Sequence, residues 1–186
     1  SGVRLSLPTL IERIERARDM GARRFQLSLP SWGKLSDTEV DVFFRETCGR
    51  FPDCEFLHYN LMRTHRIITP AEYGVLAQRH PNLVATKNST TDLERLRGLL
   101  TEAPQLQHFI TEGGFAEAAM MGECGFLVSL ANTNLSLAHA YFEAGKRRDQ
   151  SFLKPMQRES HEIITELLAF AKTEAHMDGA FDKMFV

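Results

Sequence analysis

The 186-residue sequence contains no long apolar run, and nothing in it approaches the roughly eighteen consecutive apolar residues of a membrane-spanning helix. Cysteine is scarce: Cys48, Cys54 and Cys124 are an odd number without a CxxC pair. That excludes a disulfide scaffold and reads as free, mostly buried thiols in a reducing, cytoplasmic compartment. No charge of one sign dominates, with 22 Lys and Arg against 24 Asp and Glu and a net charge of -2. The basic clusters Arg23-Arg24 and Lys146-Arg147-Arg148 are short and isolated, so the phosphate neutralisation that nucleic acid demands has no basis. The first twenty positions are not expected to act as a leader, because Pro8 and five charged residues between Glu12 and Arg18 interrupt them. The chain opens Ser1-Gly2-Val3 without an initiator Met, and so reads as processed or partial.

What is present is the material of a folded core: 43% hydrophobic residues, 25% charged and 13 Phe. The length suits one domain of ordinary size, or at most two small ones. Helical and strand patterns alternate with no low-complexity linker. Ser6 and Pro8 open a helix that ends at Gly21, and Phe25–Leu29 is a strand candidate. Ser36-Asp37-Thr38-Glu39 and Thr69-Pro70-Ala71-Glu72 are capping boxes, the second with proline where its missing N–H costs nothing. Further strands are expected at Glu55–Tyr59, Leu83–Thr86, Leu106–Ile110 and Phe126–Leu130. Helices are expected at Leu93–Leu100, Phe115–Met121, Leu135–Ala144 and Phe152 to about Ala175. Five strand-then-helix units fit either an open doubly wound sheet or part of an eight-stranded (β/α) barrel, and periodicity does not choose between them.

In both architectures, function gathers at the C-terminal ends of parallel strands. Lys87 closes an apolar strand in phase with Leu83 and Ala85, so strict alternation sends all three to one side. A lysine desolvated there becomes a neutral amine able to attack a carbonyl; one that merely marks a strand end does not. Tyr59, at the tip of the preceding strand, offers a phenol for proton transfer, or simply a core cap with a wet hydroxyl.

The order of motifs adds to this. Tyr59-Asn60-Leu61-Met62-Arg63-Thr64, the Thr69–Glu72 box, His80-Pro81-Asn82-Leu83-Val84-Ala85-Thr86-Lys87, and Asp92-Leu93 follow one another. Gly122-Glu123-Cys124-Gly125-Phe126-Leu127-Val128-Ser129 comes later, with Asn132 beyond it. The series resembles the dihydrodipicolinate synthase and N-acetylneuraminate lyase family from Leu7 to about Arg148. The resemblance implies a (β/α)8 TIM barrel and a Schiff base between a lysine and a 2-keto acid such as pyruvate, with no metal and no organic cofactor. It also implies a homo-oligomer, dimer or tetramer. Residue by residue, Lys87 matches the Schiff-base lysine and Tyr59 the relay tyrosine, while Arg63 matches the arginine that holds a second substrate's carboxylate. Asn60 matches the asparagine beside the tyrosine, grouped with the substrate-binding residues but better suited to shaping the loop than to catalysis.

The departures direct the reading. Ser31-Trp32 stand where the synthases carry two tyrosines, Met62 replaces a proline and Asn88 a glutamate. No early Gly-Thr-Thr-Gly-Glu segment exists. The five strands therefore correspond to strands four to eight, so residues 1–186 are expected to be a single barrel-type domain truncated at the N-terminus, and at the C-terminus too if Asp178–Lys183 continues. A keto-acid lyase, aldolase or dehydratase fits better than a true synthase. The alternative is a catalytically inactive partial barrel with a structural or regulatory role.

Other signals are weaker. His161-Glu162 lacks the second His of a zincin helix, and Glu112-Gly113-Gly114 lacks the lysine of a P-loop, its glycines serving a ligand or only a turn. His65 and Arg66 read as solvated loop residues or as contacts to an anionic substrate.

Overall fold

The computed structural model describes residues 6–171; the expected continuation of the last helix to Ala175 and the Asp178–Lys183 tail lie outside it. Along the chain come α1 (Leu7–Asp19), β1 (Arg24–Leu27), α2 (Asp37–Phe44), a π-helical turn (Arg45–Gly49), β2 (Glu55–Asn60) and a 3-10 turn (Met62–Thr64). Then follow α3 (Pro70–Arg79), β3 (Leu83–Asn88), α4 (Leu93–Glu102), β4 (Gln107–Ile110), α5 (Glu112–Met121), β5 (Gly125–Phe126), α6 (Leu130–Thr133), α7 (Leu135–Lys146) and α8 (Gln150–Ala171). Both capping boxes form, each with its N-cap hydroxyl accepting from the N3 amide and the N3 Glu reaching back to the N-cap N–H. The strands lie in one sheet in the order β1-β2-β3-β4-β5, with β1, β2 and β3 paired in parallel. That is an α/β pattern in which helices link successive strands of the sheet.

Three expectations are corrected. β1 stops at Leu27, although Ser28, Leu29 and Pro30 stay buried. β5 is two residues long, because the amides of Ser129 and Leu130 donate to Glu112 Oε1 at 2.7 and 2.9 Å and the chain turns into α6. The third concerns phase. A register shift between Phe56 and Leu57 pairs Leu83 with Phe56 but Ala85 with Leu57 and Lys87 with Tyr59. The five residues Leu83–Lys87 of β3 thus span the four residues Phe56–Tyr59 of β2, and the alternation that would put Leu83 on the side of Lys87 is broken at this irregularity.

Chain contacts divide the molecule into two compact units: residues up to Ser89 with Arg97–Phe109, and Thr90–Leu96 with the chain from Ile110 onward. In the first, Phe43 and Phe44 of α2, Phe51, Phe56, Ile68, Tyr73 and Leu83 are all buried, each such side chain stabilising by about 2 kcal/mol. Asn82 holds this unit's lower loop together: its Nδ2 lies 2.9, 3.0 and 2.9 Å from the carbonyls of Cys48, Phe51 and Cys54. In the second, Phe115 packs against Phe126 and Tyr141 at ring separations of 4.5 and 5.3 Å. Gly114 has a structural purpose here, since a Cβ would sit 2.1 Å from the Thr90 carbonyl oxygen. Its closest neighbour is the chain's own backbone.

Candidate functional site

The parallel register brings two of the sequence-derived residues side by side. Tyr59 and Lys87 are cross-strand partners near the C-terminal ends of β2 and β3. Lys87 Nζ lies 4.3 Å from the centroid of the Tyr59 ring, within the range of a cation–π contact. Both side chains are half-buried rather than enclosed. The Tyr59 hydroxyl is 3.5 Å from Ser89 Oγ, two positions beyond the lysine, and Ser89 is exposed. An amine, a phenol and a wet hydroxyl thus stand in sequence at one end of the strand pair. Such a set can hold a carbonyl compound covalently and pass protons toward water.

Asn60 stands elsewhere. It is the next residue on β2 and turns to the opposite, buried face. Its Oδ1 accepts from the Ile68 N–H at 3.0 Å, and its Nδ2 donates to the Ile68 carbonyl at 2.9 Å and to Asn88 Oδ1 at 3.0 Å. This side chain is fully occupied in pinning the loop between β2 and α3. Arg63 lies on the 3-10 turn directly after β2, half-buried. Trp32, in the loop after β1, is 75% exposed, and Met62 is likewise exposed.

Around these loops, Arg66 is locked. Its guanidinium pairs with Glu72 and, at 2.9 Å, with Asp37. Burial alone would raise the Glu72 carboxyl, but hydrogen bonds from Arg66 and Thr69 prevail and bring it to about 2. The expected choice between solvated loop and substrate contact therefore resolves for Arg66 as an internal ion pair that ties the loop to two helix starts. A cavity of about 570 Å³ opens beside it, lined by Lys34, Leu35, Ser36, Asp37, His65, Arg66 and Ile67.

The buried side of the same strands carries groups that spacing did not reveal. His58 is 1% exposed, its Nδ1 2.7 Å from the Tyr73 hydroxyl and its Nε2 without a partner; burial pushes the ring down to about 3. Thr86 Oγ1 is 2.7 Å from His108 Nδ1, and His108 Nε2 is 3.0 Å from the Ala103 carbonyl. The only signal in the sequence is that Thr86, Asn88 and His108 are polar residues inside apolar strand runs. Among the described residues, no three His, Cys, Asp or Glu side chains are placed to hold a metal ion. The thiols are unpaired, and burial raises Cys48 and Cys124 to about 12, far from a reactive thiolate.

No protein-family model matches the chain. It is 32% identical over 100 residues to the 4-hydroxy-tetrahydrodipicolinate synthase of Thermus thermophilus, over 53% of this chain and 33% of the synthase. A prophage protein of the dihydrodipicolinic acid synthase family from E. coli K12, solved in complex with pyruvate, superimposes with a TM-score of 0.73. It is 17% identical and covers 82% of this chain and 53% of its own. N-acetylneuraminate lyase from Mycoplasma synoviae gives a TM-score of 0.73 and 20% identity over 90% of this chain and 57% of the lyase. The chain spans about a third of the synthase and about half of these two structures. The resemblance read from the motif order is borne out: the structural neighbours are members of the dihydrodipicolinate synthase and N-acetylneuraminate lyase family, and this chain carries their fold.

Proposed function

We propose that the chain carries the Schiff-base half of a class I lyase acting on a 2-keto acid such as pyruvate. Lys87 Nζ attacks the keto carbon, and loss of water from the carbinolamine leaves an iminium that withdraws electrons from the neighbouring carbon. Removal of a proton there gives an enamine that can add to an aldehyde, and in reverse a carbon–carbon bond breaks to release one. Hydrolysis restores the amine. Tyr59 moves protons in these steps and Ser89 passes them to solvent, the place a second phenol takes in the synthases being occupied by Ser31-Trp32. Arg63 would meet a carboxylate of the second substrate, and Asn60 holds the loop rather than the ligand. The iminium supplies the electron sink, so neither a metal nor an organic cofactor is part of this scheme.

The observation that carries the reading is the in-register pair, with Lys87 Nζ 4.3 Å over the Tyr59 ring at the C-terminal ends of parallel strands. The 32% identity to a synthase and a neighbour solved with pyruvate support it. In the same proposal β1 to β5 stand for strands four to eight of the barrel, in one barrel-type domain that associates as a dimer or tetramer. The half-buried setting of Lys87 favours a second reading, a partial barrel without activity that serves assembly or regulation. Titration with pyruvate followed by thermal unfolding separates them. The lyase reading expects a saturable rise in melting temperature that disappears in Lys87→Ala; an unchanged melting curve in the wild type supports the inactive module.

A further inference from the structure

The buried face behind the lysine and tyrosine carries a chain of hydrogen bonds whose direction is set at one end. The carbonyl of Ala103 can only accept, so His108 Nε2, 3.0 Å away, must carry the ring proton. His108 is 2% exposed, and burial disfavours its charged form despite the Ala103 and Leu99 carbonyls that favour it. A neutral ring with its proton on Nε2 leaves Nδ1 a bare acceptor. Thr86 therefore donates its hydroxyl hydrogen to Nδ1 across 2.7 Å, and its oxygen is free to accept from Asn88 Nδ2 at 2.9 Å. That orients the Asn88 amide with Oδ1 toward Asn60 Nδ2 at 3.0 Å, and Asn60 in turn grips both backbone groups of Ile68. From Asn60 through Asn88 and Thr86 to His108 and the Ala103 carbonyl, every donor points the same way. Reversing any link would set two donors or two acceptors face to face in the interior, which costs about 1–3 kcal/mol.

We infer that His108 and Thr86 are positioning residues for the Tyr59–Lys87 pair, acting through this one-directional chain. The link is local: Asn60 and Asn88 directly follow Tyr59 and Lys87, and they are themselves register partners. Fixing the two amides fixes the backbone from which the phenol and the amine project on the opposite face. The groups that face His108 are Thr86 from β3 and the Ala103 and Leu99 carbonyls at the end of α4, with no carboxylate or ammonium acting on it among the described residues. The inference rests on the lyase reading above only for its catalytic consequence; the hydrogen-bond polarity stands on geometry alone.

The experiment uses the whole protein. Nitrogen-15 spectra of the wild type should show His108 protonated at Nε2 and bare at Nδ1, persisting at a pH where a histidine in water is already charged, below about 6. Thr86→Val removes the donor while keeping the shape, and Thr86→Ser restores it. In Thr86→Val, the rate of pyruvate imine formation, read by borohydride trapping, should fall by about tenfold with the half-saturating pyruvate concentration unchanged. The Tyr59 ring resonances should move, and Thr86→Ser should recover both. A wild-type His108 protonated at Nδ1, or a Thr86→Val variant matching Thr86→Ser in trapping rate and Tyr59 resonances, overturns the inference. Should the wild type form no imine, the lyase reading fails by itself, and the His108 tautomer with the Tyr59 resonances still decides the positioning chain. Should Thr86→Val not fold, the wild-type tautomer alone decides.

Discussion

The two faces of the β2–β3 pair differ sharply although they share the same twelve residues of backbone. On one face Tyr59 and Lys87 lie half-exposed, with a contact of ring to ammonium and a long hydroxyl pair. On the other, His58, Asn60, Thr86 and Asn88 are buried, and their hydrogen bonds reach β4 and the loop before α3. Period-two alternation sorts the residues, but burial decides what each face can do. A buried polar group must be satisfied and so becomes rigid, whereas an open amine and phenol keep the freedom to exchange protons and take a ligand. The Tyr59–Lys87 pair is thus backed by a rigid, buried layer. The contrast also predicts that changes on the open face alter chemistry with little cost in stability, whereas changes on the closed face cost stability and reach the chemistry only through the placement of Tyr59 and Lys87.

The largest expected effect is Lys87→Ala, which should abolish covalent capture of pyruvate while leaving the denaturant midpoint near that of the wild type; a substantially lowered midpoint would break the contrast. Tyr59→Phe should slow imine formation and turnover by about a hundredfold with the fold intact, as read by trapping kinetics beside circular dichroism. On the closed face, Asn60→Ala removes the hydrogen bonds to the N–H and carbonyl of Ile68 and to Asn88 Oδ1, so urea unfolding should show a loss of about 3 kcal/mol. Acid should also act through the closed face. The His58 ring sits at about 3 when folded, against 6.5 for a histidine in water, so below 6.5 the unfolded chain binds a proton that the folded one refuses. Stability is then complete above pH 6.5 and is lost progressively toward pH 3, with about 2 kcal/mol gone between pH 7 and pH 5. Urea melts over that range check it, and a flat profile contradicts the neutral burial of His58. The smallest effect belongs to the exposed pair Arg24–Glu55, 2.7 Å apart. Glu55→Gln should change stability by less than about 1 kcal/mol.

Local signals are the legible ones. The boxes at Ser36–Glu39 and Thr69–Glu72 depend on residues three apart, and both form as their sequences predict. The order of the Tyr59 and Lys87 segments points to the fold, and the register then sets the two side chains together. What the sequence hides is non-local. Asn60 reaches Asn88 across 28 positions and Thr86 reaches His108 across 22, and no pattern along one strand encodes such a partner. The phase of Leu83 escapes simple alternation because the register shift sits between strands rather than in either of them. The length of β5 is overestimated for a similar reason. Val128, Ser129 and Leu130 look like strand, but a carboxylate 17 positions back claims the Ser129 amide. The π-helical turn at Arg45–Gly49 leaves no mark in the periodicity at all.

Whether Lys87 is the nucleophile is read by borohydride reduction in the presence of pyruvate, followed by peptide mapping of every lysine. A single carboxyethyl adduct on Lys87 is expected, absent without pyruvate, with the exposed Lys34 and Lys146 unmodified under the same conditions. An adduct spread over the exposed lysines, or no adduct on Lys87 at saturating pyruvate, would contradict that role for Lys87.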